Sequence, residues 1–208
     1  MGRKAMSVQE LLSTRYRELE FEGDWLDTIG KPELTGSWFI WGNSGNGKTR
    51  FALQLAKYMT NFGKVAYDSL EEGGCKSMAD AIREVGIESS NRFQLLDMEQ
   101  IEDLDARLEK RKSPDIIFID SIQYARINGK KITTFEFKQL VEKHRHKLFI
   151  VISHASGKKP KGNVADDIHY HSSVKLWVEG FKAFPKSRYK GTEPYVIWPE
   201  GALEVWGN

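Results

Sequence analysis

The run Gly42-Asn43-Ser44-Gly45-Asn46-Gly47-Lys48-Thr49 constrains this chain more than any other, because it follows an apolar run, Ser37-Trp-Phe-Ile-Trp41, and precedes a stretch of helical period. Its glycines allow the backbone to curl until its N–H groups converge on an anion. A helix starting near Lys48 adds the positive end of its dipole. G-x-x-x-x-G-K-T between a strand and a helix therefore predicts a phosphate cradle, with Lys48 on the β- and γ-phosphates and the Thr49 hydroxyl on Mg²⁺. The expected nucleotide contacts run from Gly42 through Thr49 and include Arg50, and the expected ligands are ATP and Mg²⁺.

Further apolar runs of strand length occur at Lys64-Val-Ala-Tyr-Asp68, Asp115-Ile-Ile-Phe-Ile119 and Lys147-Leu-Phe-Ile-Val-Ile152. Unbroken apolar strands fit burial on both faces of a parallel sheet. Phe51, Leu55, Tyr58, Met59 and Phe62 recur at helical spacing between the first two strands, as do Phe137, Leu140, Val141 and His144 later. The alternation predicts a doubly wound, mainly parallel α/β domain. Beyond Val174 the runs Val174–Val178, Lys182–Lys186, Tyr195–Trp198 and Leu203–Trp206 are shorter and broken by Gly, Pro and charge, which predicts appended antiparallel strands. Residues 1–36 read as a lead-in and 37–208 as the core.

The strand Ile116-Ile-Phe-Ile ends in Asp120, and a carboxylate delivered to a strand end beside a phosphate cradle can hold the metal side of the site. Hydrolysis also needs a group to orient or deprotonate water. In Tyr67-Asp-Ser-Leu-Glu-Glu-Gly73, Glu71 is the first candidate and Glu72 stands beside it.

The 208 residues carry 31 Lys and Arg against 29 Asp and Glu, so attraction to nucleic acid must come from local patches rather than the whole-molecule field. Cys75 is the only cysteine, which excludes an internal disulfide and a cysteine-based zinc site. No run approaches the length of a membrane span, and charges interrupt the segment where a signal peptide needs an apolar core. The expectation is a soluble, cytoplasmic protein without a membrane partner. The pairs His144/His146 and His169/His171 are two residues apart with no clear third ligand, which reads as surface or core histidine rather than a metal centre.

These residues together resemble the RecA-like ATPase core of recombinases, bacterial RadA and DnaB-type helicases, including its compact phage and mobile-element versions. The resemblance implies a DNA-stimulated ATPase of recombination or replication that assembles into a ring or filament with nucleotide between subunits. It places the catalytic glutamate at Ser69-Leu-Glu71, favouring Glu71 over Glu72, and a γ-phosphate sensor at His154. Phe184-Pro-Lys-Ser-Arg-Tyr-Lys-Gly191 resembles the family's Lys-x-Arg-Phe-Gly signature, which makes Lys186 and Arg188 candidate catalytic cations reaching a neighbour's site. A family acid is missing from Tyr170-His-Ser-Ser-Val174, and the zinc, protease-like and collar modules are not seen.

Two basic, glycine-bearing segments are expected to be loops and to face single-stranded DNA. One carries Arg126, Lys130 and Lys131, the other Lys158, Lys159 and Lys161, with Tyr124 available for stacking. A small-molecule kinase and a nucleotide-switched assembly or loader protein are the rival readings.

Overall fold

The structure, a computed structural model, describes residues 5–207; the basic start of the chain and Asn208 lie outside the described residues. After α1 (Val8–Ser13) and α2 (Gly23–Ile29), strand β1 (Gly36–Gly42) leads into α3 (Lys48–Met59) and β2 (Val65–Ser69). Then come α4 (Lys76–Val85), β3 (Phe93–Asp97), α5 (Ile101–Leu108), β4 (Ile116–Asp120) and a 3₁₀ turn at Ile122–Tyr124. A hairpin of β5 (Arg126–Ile127) and β6 (Lys130–Lys131) precedes α6 (Thr134–Lys143), β7 (Leu148–Ser156), β8 (Lys159–Pro160) and α7 (Asn163–His171). The chain closes with β9 (Val174–Glu179), β10 (Lys182–Ser187), β11 (Tyr195–Val196) and α8 (Pro199–Trp206).

The main sheet has the order β11-β10-β9-β1-β7-β4-β2-β3, with β8 folded back on β7. Strands β9, β1, β7, β4, β2 and β3 are parallel; β10 pairs antiparallel with both β9 and β11. Every residue of β2 and β4 is buried, as unbroken apolar strands require. Alternate side chains feed two cores. Trp38, Ile40, Tyr67, Phe118 and Ile150 meet Phe51 and Leu55 of α3, while Phe39, Ala66, Ile117, Phe149 and Val151 meet Leu104, Phe137 and Ile168 of α5, α6 and α7. Leu19, Phe21, Trp25, Ile29 and Leu34 from before β1 join the first core, with Trp25 stacked on Tyr58 and Tyr195.

The expected α/β class and the C-terminal antiparallel strands are present, with three local corrections. Strand β9 pairs antiparallel with β10, as expected, but parallel with β1, so it belongs to the parallel sheet as well. Leu203–Trp206 is helical, because Pro199 occupies the first turn of α8, where its missing N–H and fixed φ favour a helix. Arg126–Lys131 is a hairpin rather than a loop, turned by Asn128 and Gly129, both at positive φ. Among the described residues no helix is long and apolar enough to cross a membrane.

Candidate functional site

Register brings the candidate groups to one edge of the sheet. Gly42 at the end of β1 lies opposite His154 in β7, and Ser69 at the end of β2 lies opposite Asp120 at the end of β4. The chain then leaves β2 with Leu70 and Glu71 donating their N–H groups to the Asp120 carbonyl at 2.6 and 3.2 Å, which holds Glu71 at the same edge. The cleft there encloses about 660 Å³ and is lined by Gly45, Gly47, Lys48, Thr49, Glu71, Asp120 and His154, among others.

The glycines of the cradle divide their work. Gly45 and Gly47 have φ of +78° and +91°, a region open to glycine, and Gly47 forms the N-cap of α3. Gly42 serves a different need than curling: a Cβ there would lie 2.2 Å from the Val178 carbonyl oxygen, so glycine lets β9 approach the start of the loop. Asn46 is a brace, its Oδ1 accepting the Gly180 N–H at 2.8 Å. Lys48 Nζ donates to the Asn43 carbonyl at 3.0 Å. Partial burial lowers the Lys48 pKa, opposed by the charges of Asp120 and Glu71.

Asp120 is 9% exposed. Burial pushes its pKa up to about 6, against a stabilising hydrogen bond from Tyr67, while neighbouring Glu71 pushes the same way as burial. The Tyr67 hydroxyl donates to Asp120 Oδ2 at 2.5 Å from a fully buried ring stacked on Phe118. A carboxylate this reluctant to ionise suits a cation partner, which would return it to the charged form. Thr49 and Asp120 line the same cleft, and one hydroxyl with one carboxylate fits Mg²⁺, which commonly takes few protein ligands and completes its shell with phosphate and water. Among the described residues no group of three or more His, Cys, Asp or Glu could form an all-protein metal cage.

The two glutamates separate cleanly. Glu71 Oε2 lies 2.7 Å from His154 Nε2 and accepts from the Ser121 hydroxyl at 3.2 Å. Glu72, although on the cleft wall, accepts from Ser77 Oγ at 2.9 Å. Nothing in the local sequence announces Ser121 or Tyr67: each acts through a neighbouring strand, and strand register is not written there. Phe181 and Trp198 also line the cleft without a motif to announce them.

The basic segments adjoin this site. Gln123 Nε2 donates to Ser153 Oγ and to the Lys161 carbonyl, both at 2.8 Å, and the Lys161 N–H donates to the His154 carbonyl at 2.9 Å. Asn43 Nδ2 donates to the Gly157 carbonyl at 3.3 Å, tying the cradle to the tip of the β7-β8 hairpin. Lys158, Lys159 and Lys161 are exposed on that hairpin, and Lys131 lines a cavity shared with Lys161. Lys130 is exposed, as is Tyr124, whereas Arg126 is half-buried and donates to the Gln123 and Ala125 carbonyls. The expected loop of residues 156–163 contains the short strand β8.

Lys186 and Arg188 are not brought to this cleft. Lys186 lies opposite Lys175, which lies opposite Phe39 in the middle of β1, and the Arg188 N–H donates to the carbonyl of Ser173, just before β9, so the two cations lie level with and beyond the middle of the sheet, away from the edge that carries the cradle. Both are exposed, and together with burial they lower the pKa of Lys175.

No protein family and no curated protein sequence matches the chain. Solved structures do. One of them, an ATPase domain, superposes with a TM-score of 0.57 at 16% identity, covering 81% of this chain and 83% of that one. The flagellar accessory protein FlaH from Methanocaldococcus jannaschii gives 0.59 at 15%, covering 88% and 97%. A KaiC-like protein from Pyrococcus horikoshii OT3 gives 0.62 at 15%, covering 87% and 94%. At such identities the likeness is one of fold: the chain has the RecA-like P-loop NTPase fold, a mainly parallel sheet with antiparallel strands at its C-terminal edge.

Proposed function

We propose that this chain, on its RecA-like P-loop fold, binds Mg·ATP in the cleft at the carboxyl edge of the sheet and hydrolyses it to switch an assembly. The carrying observation is the convergence of Lys48, Thr49, Asp120, Glu71 and His154 on that one cleft. The residues from Gly42 to Thr49 cradle the phosphates, and Thr49 and Asp120 would hold Mg²⁺. The metal, when bound, supplies charge neutralisation on the phosphate oxygens. Glu71 orients and deprotonates the attacking water, and Ser121 and His154 fix its carboxylate. Lys48 offsets charge on the transferring phosphoryl, and Lys186 and Arg188 do so for the site of a neighbouring copy.

The switch reading has structural neighbours of the same fold, among them the accessory protein FlaH as well as an ATPase domain. The β7-β8 hairpin is the moving part: it is bonded to the cradle through Asn43 and runs continuously from His154. One observation favours single-stranded DNA as the partner, namely that Lys131 and Lys161 from two basic segments face a common cavity beside Gln123.

Steady-state ATP hydrolysis of wild type and Lys48→Ala, with and without single-stranded DNA at two salt concentrations, tests both statements. Turnover that vanishes in the variant supports the ATPase. Salt-sensitive stimulation by DNA selects nucleic acid, whereas DNA-indifferent turnover selects a protein assembly. Wild type without ATP binding or hydrolysis overturns the proposal.

A further inference from the structure

The cleft is also lined by groups whose chemistry a triphosphate does not use. Phe181, from the turn between β9 and β10, and Trp198, just before α8, line it together with Arg50. Half-buried aromatic faces do nothing for phosphate oxygens, whereas a flat π-surface beside a phosphate cradle matches the other half of a nucleotide.

The platform is built rather than incidental. Phe181 and Trp198 meet edge to face, with ring centroids 5.0 Å apart and planes at 83°. Gly201 locks them from behind: a Cβ there would lie 2.3 Å from Trp198 Cε3 and 2.7 Å from Phe181 Cδ2. The chain leading into Trp198 is fixed as well, since the Ile197 N–H donates to the Phe181 carbonyl at 2.9 Å and the Ile197 carbonyl accepts from Gln54 of α3 at 3.1 Å. Phe181 also reaches the cradle, with its Cδ1 3.1 Å from where a Gly47 Cβ would be. Phosphate loop and aromatic platform therefore hold one relative position.

Arg50 supplies a donor without a protein acceptor. Its guanidinium lies 6.0 Å from the centre of the Trp198 ring, and its Nε is buried with no hydrogen-bond partner. Among the described residues it forms no ion pair with an acid. A buried N–H left unpaired is costly and points to an acceptor brought by a ligand.

We infer that Trp198, fixed by Phe181 and Gly201 and faced by Arg50, is the nucleobase-stacking platform of the site, so that the protein recognises a nucleoside triphosphate and not merely a polyphosphate. This rests on the proposed phosphate role of the cradle, and the test separates the two. Binding of Mg·ATP and of inorganic tripolyphosphate with Mg²⁺ is measured by calorimetry for wild type, Trp198→Ala and Trp198→Phe. Circular dichroism checks that each variant is folded. Trp198→Ala is expected to weaken ATP about tenfold or more, the loss of one base-aromatic stack, while tripolyphosphate changes less than about twofold. Trp198→Phe keeps a ring and should recover most of the ATP affinity. Because the chain has six tryptophans, the fluorescence readout is a difference: ATP should quench wild type more than Trp198→Phe, and tripolyphosphate should not.

Unchanged ATP affinity in Trp198→Ala, or a parallel loss of ATP and tripolyphosphate, overturns the platform while leaving the phosphate cradle standing. Wild type that binds neither ligand overturns the cradle itself.

Discussion

At the residue scale, the proposed hydrolysis depends on Glu71 being a carboxylate held by two partners. Its contacts with His154 Nε2 at 2.7 Å and Ser121 Oγ at 3.2 Å orient one oxygen and leave the group on the cleft wall. Glu71→Gln preserves shape and removes the base, so ATP binding should stay within about twofold while turnover falls on the order of 10²- to 10⁴-fold. Single-turnover hydrolysis beside equilibrium binding measures both, and retained turnover would move the role to Glu72. Much of this is legible in sequence, because Gly45, Gly47, Lys48 and Thr49 act through neighbours in the chain and Asp120 ends an apolar run, whereas the need for Gly42 comes from Val178 on a strand distant in sequence. Tyr67 is not: its hydroxyl reaches Asp120 from the adjacent strand. Trp198 reads in sequence as the end of a strand and carries no motif, so its place on the cleft emerges only when α8 folds against the turn after β9.

At the element scale, strands buried on both faces can be read from their apolar runs, whereas β3 cannot. Its Phe-Gln-Leu-Leu-Asp sequence sits at the sheet edge, mostly incompletely buried, where composition is less constrained. The interior of β2 holds a cost that the sequence also hides. Asp68 is completely buried, with Oδ1 accepting the Glu99 N–H at 3.1 Å and Oδ2 without a partner. Burial, reinforced by the Glu99 charge, pushes its pKa up to about 8. Since the unfolded value is near 3.8, the folded state holds the extra proton between these limits, and stability falls as pH rises through that window. Asp68→Asn has no proton to lose. Its stability relative to wild type should therefore climb by about 2 kcal/mol between pH 5 and pH 8, below the full linkage value because the surroundings relax around a buried charge. Urea midpoints at pH 5, 6.5 and 8 measure it, and parallel pH profiles for the two proteins would refute the assignment.

In the proposed function, the β7-β8 hairpin is the element that would connect nucleotide to partner. Gln123 bridges Ser153 and Lys161 while its Oε1 accepts the His154 N–H at 3.3 Å, so a shift at His154 would reach the lysines by hydrogen bonds rather than by side-chain packing alone. His154→Ala should retain ATP binding yet lose most of the difference in partner affinity between the ATP-analogue and ADP states. With DNA as partner, fluorescence anisotropy of a labelled single strand in the two nucleotide states reads this out. An undiminished difference in the variant would place the coupling elsewhere.

At the scale of the whole molecule, the separation of Lys186 and Arg188 from the cradle bears on how the proposed hydrolysis would depend on assembly. The two cations lie on and just beyond β10, exposed, several residues of strand away from the cleft they would have to serve within one copy. Under the proposed function, a guanidinium placed so would act on phosphate across a subunit boundary, which would make hydrolysis conditional on assembly. Arg188→Ala alone should bind ATP normally and lose about 10³-fold in turnover. Glu71→Gln alone is silent for a different reason, since it lacks the base but keeps the cation. When the two variants are mixed one to one and allowed to exchange subunits, random neighbours give about a quarter of the interfaces an intact Glu71 from one copy and an intact Arg188 from the next. Turnover should therefore return to about a quarter of the wild-type rate, and only in the size fraction that holds assemblies. A mixture as silent as its components, despite exchange shown by light scattering and labelled subunits, would mean that Arg188 acts within its own copy or only supports the fold.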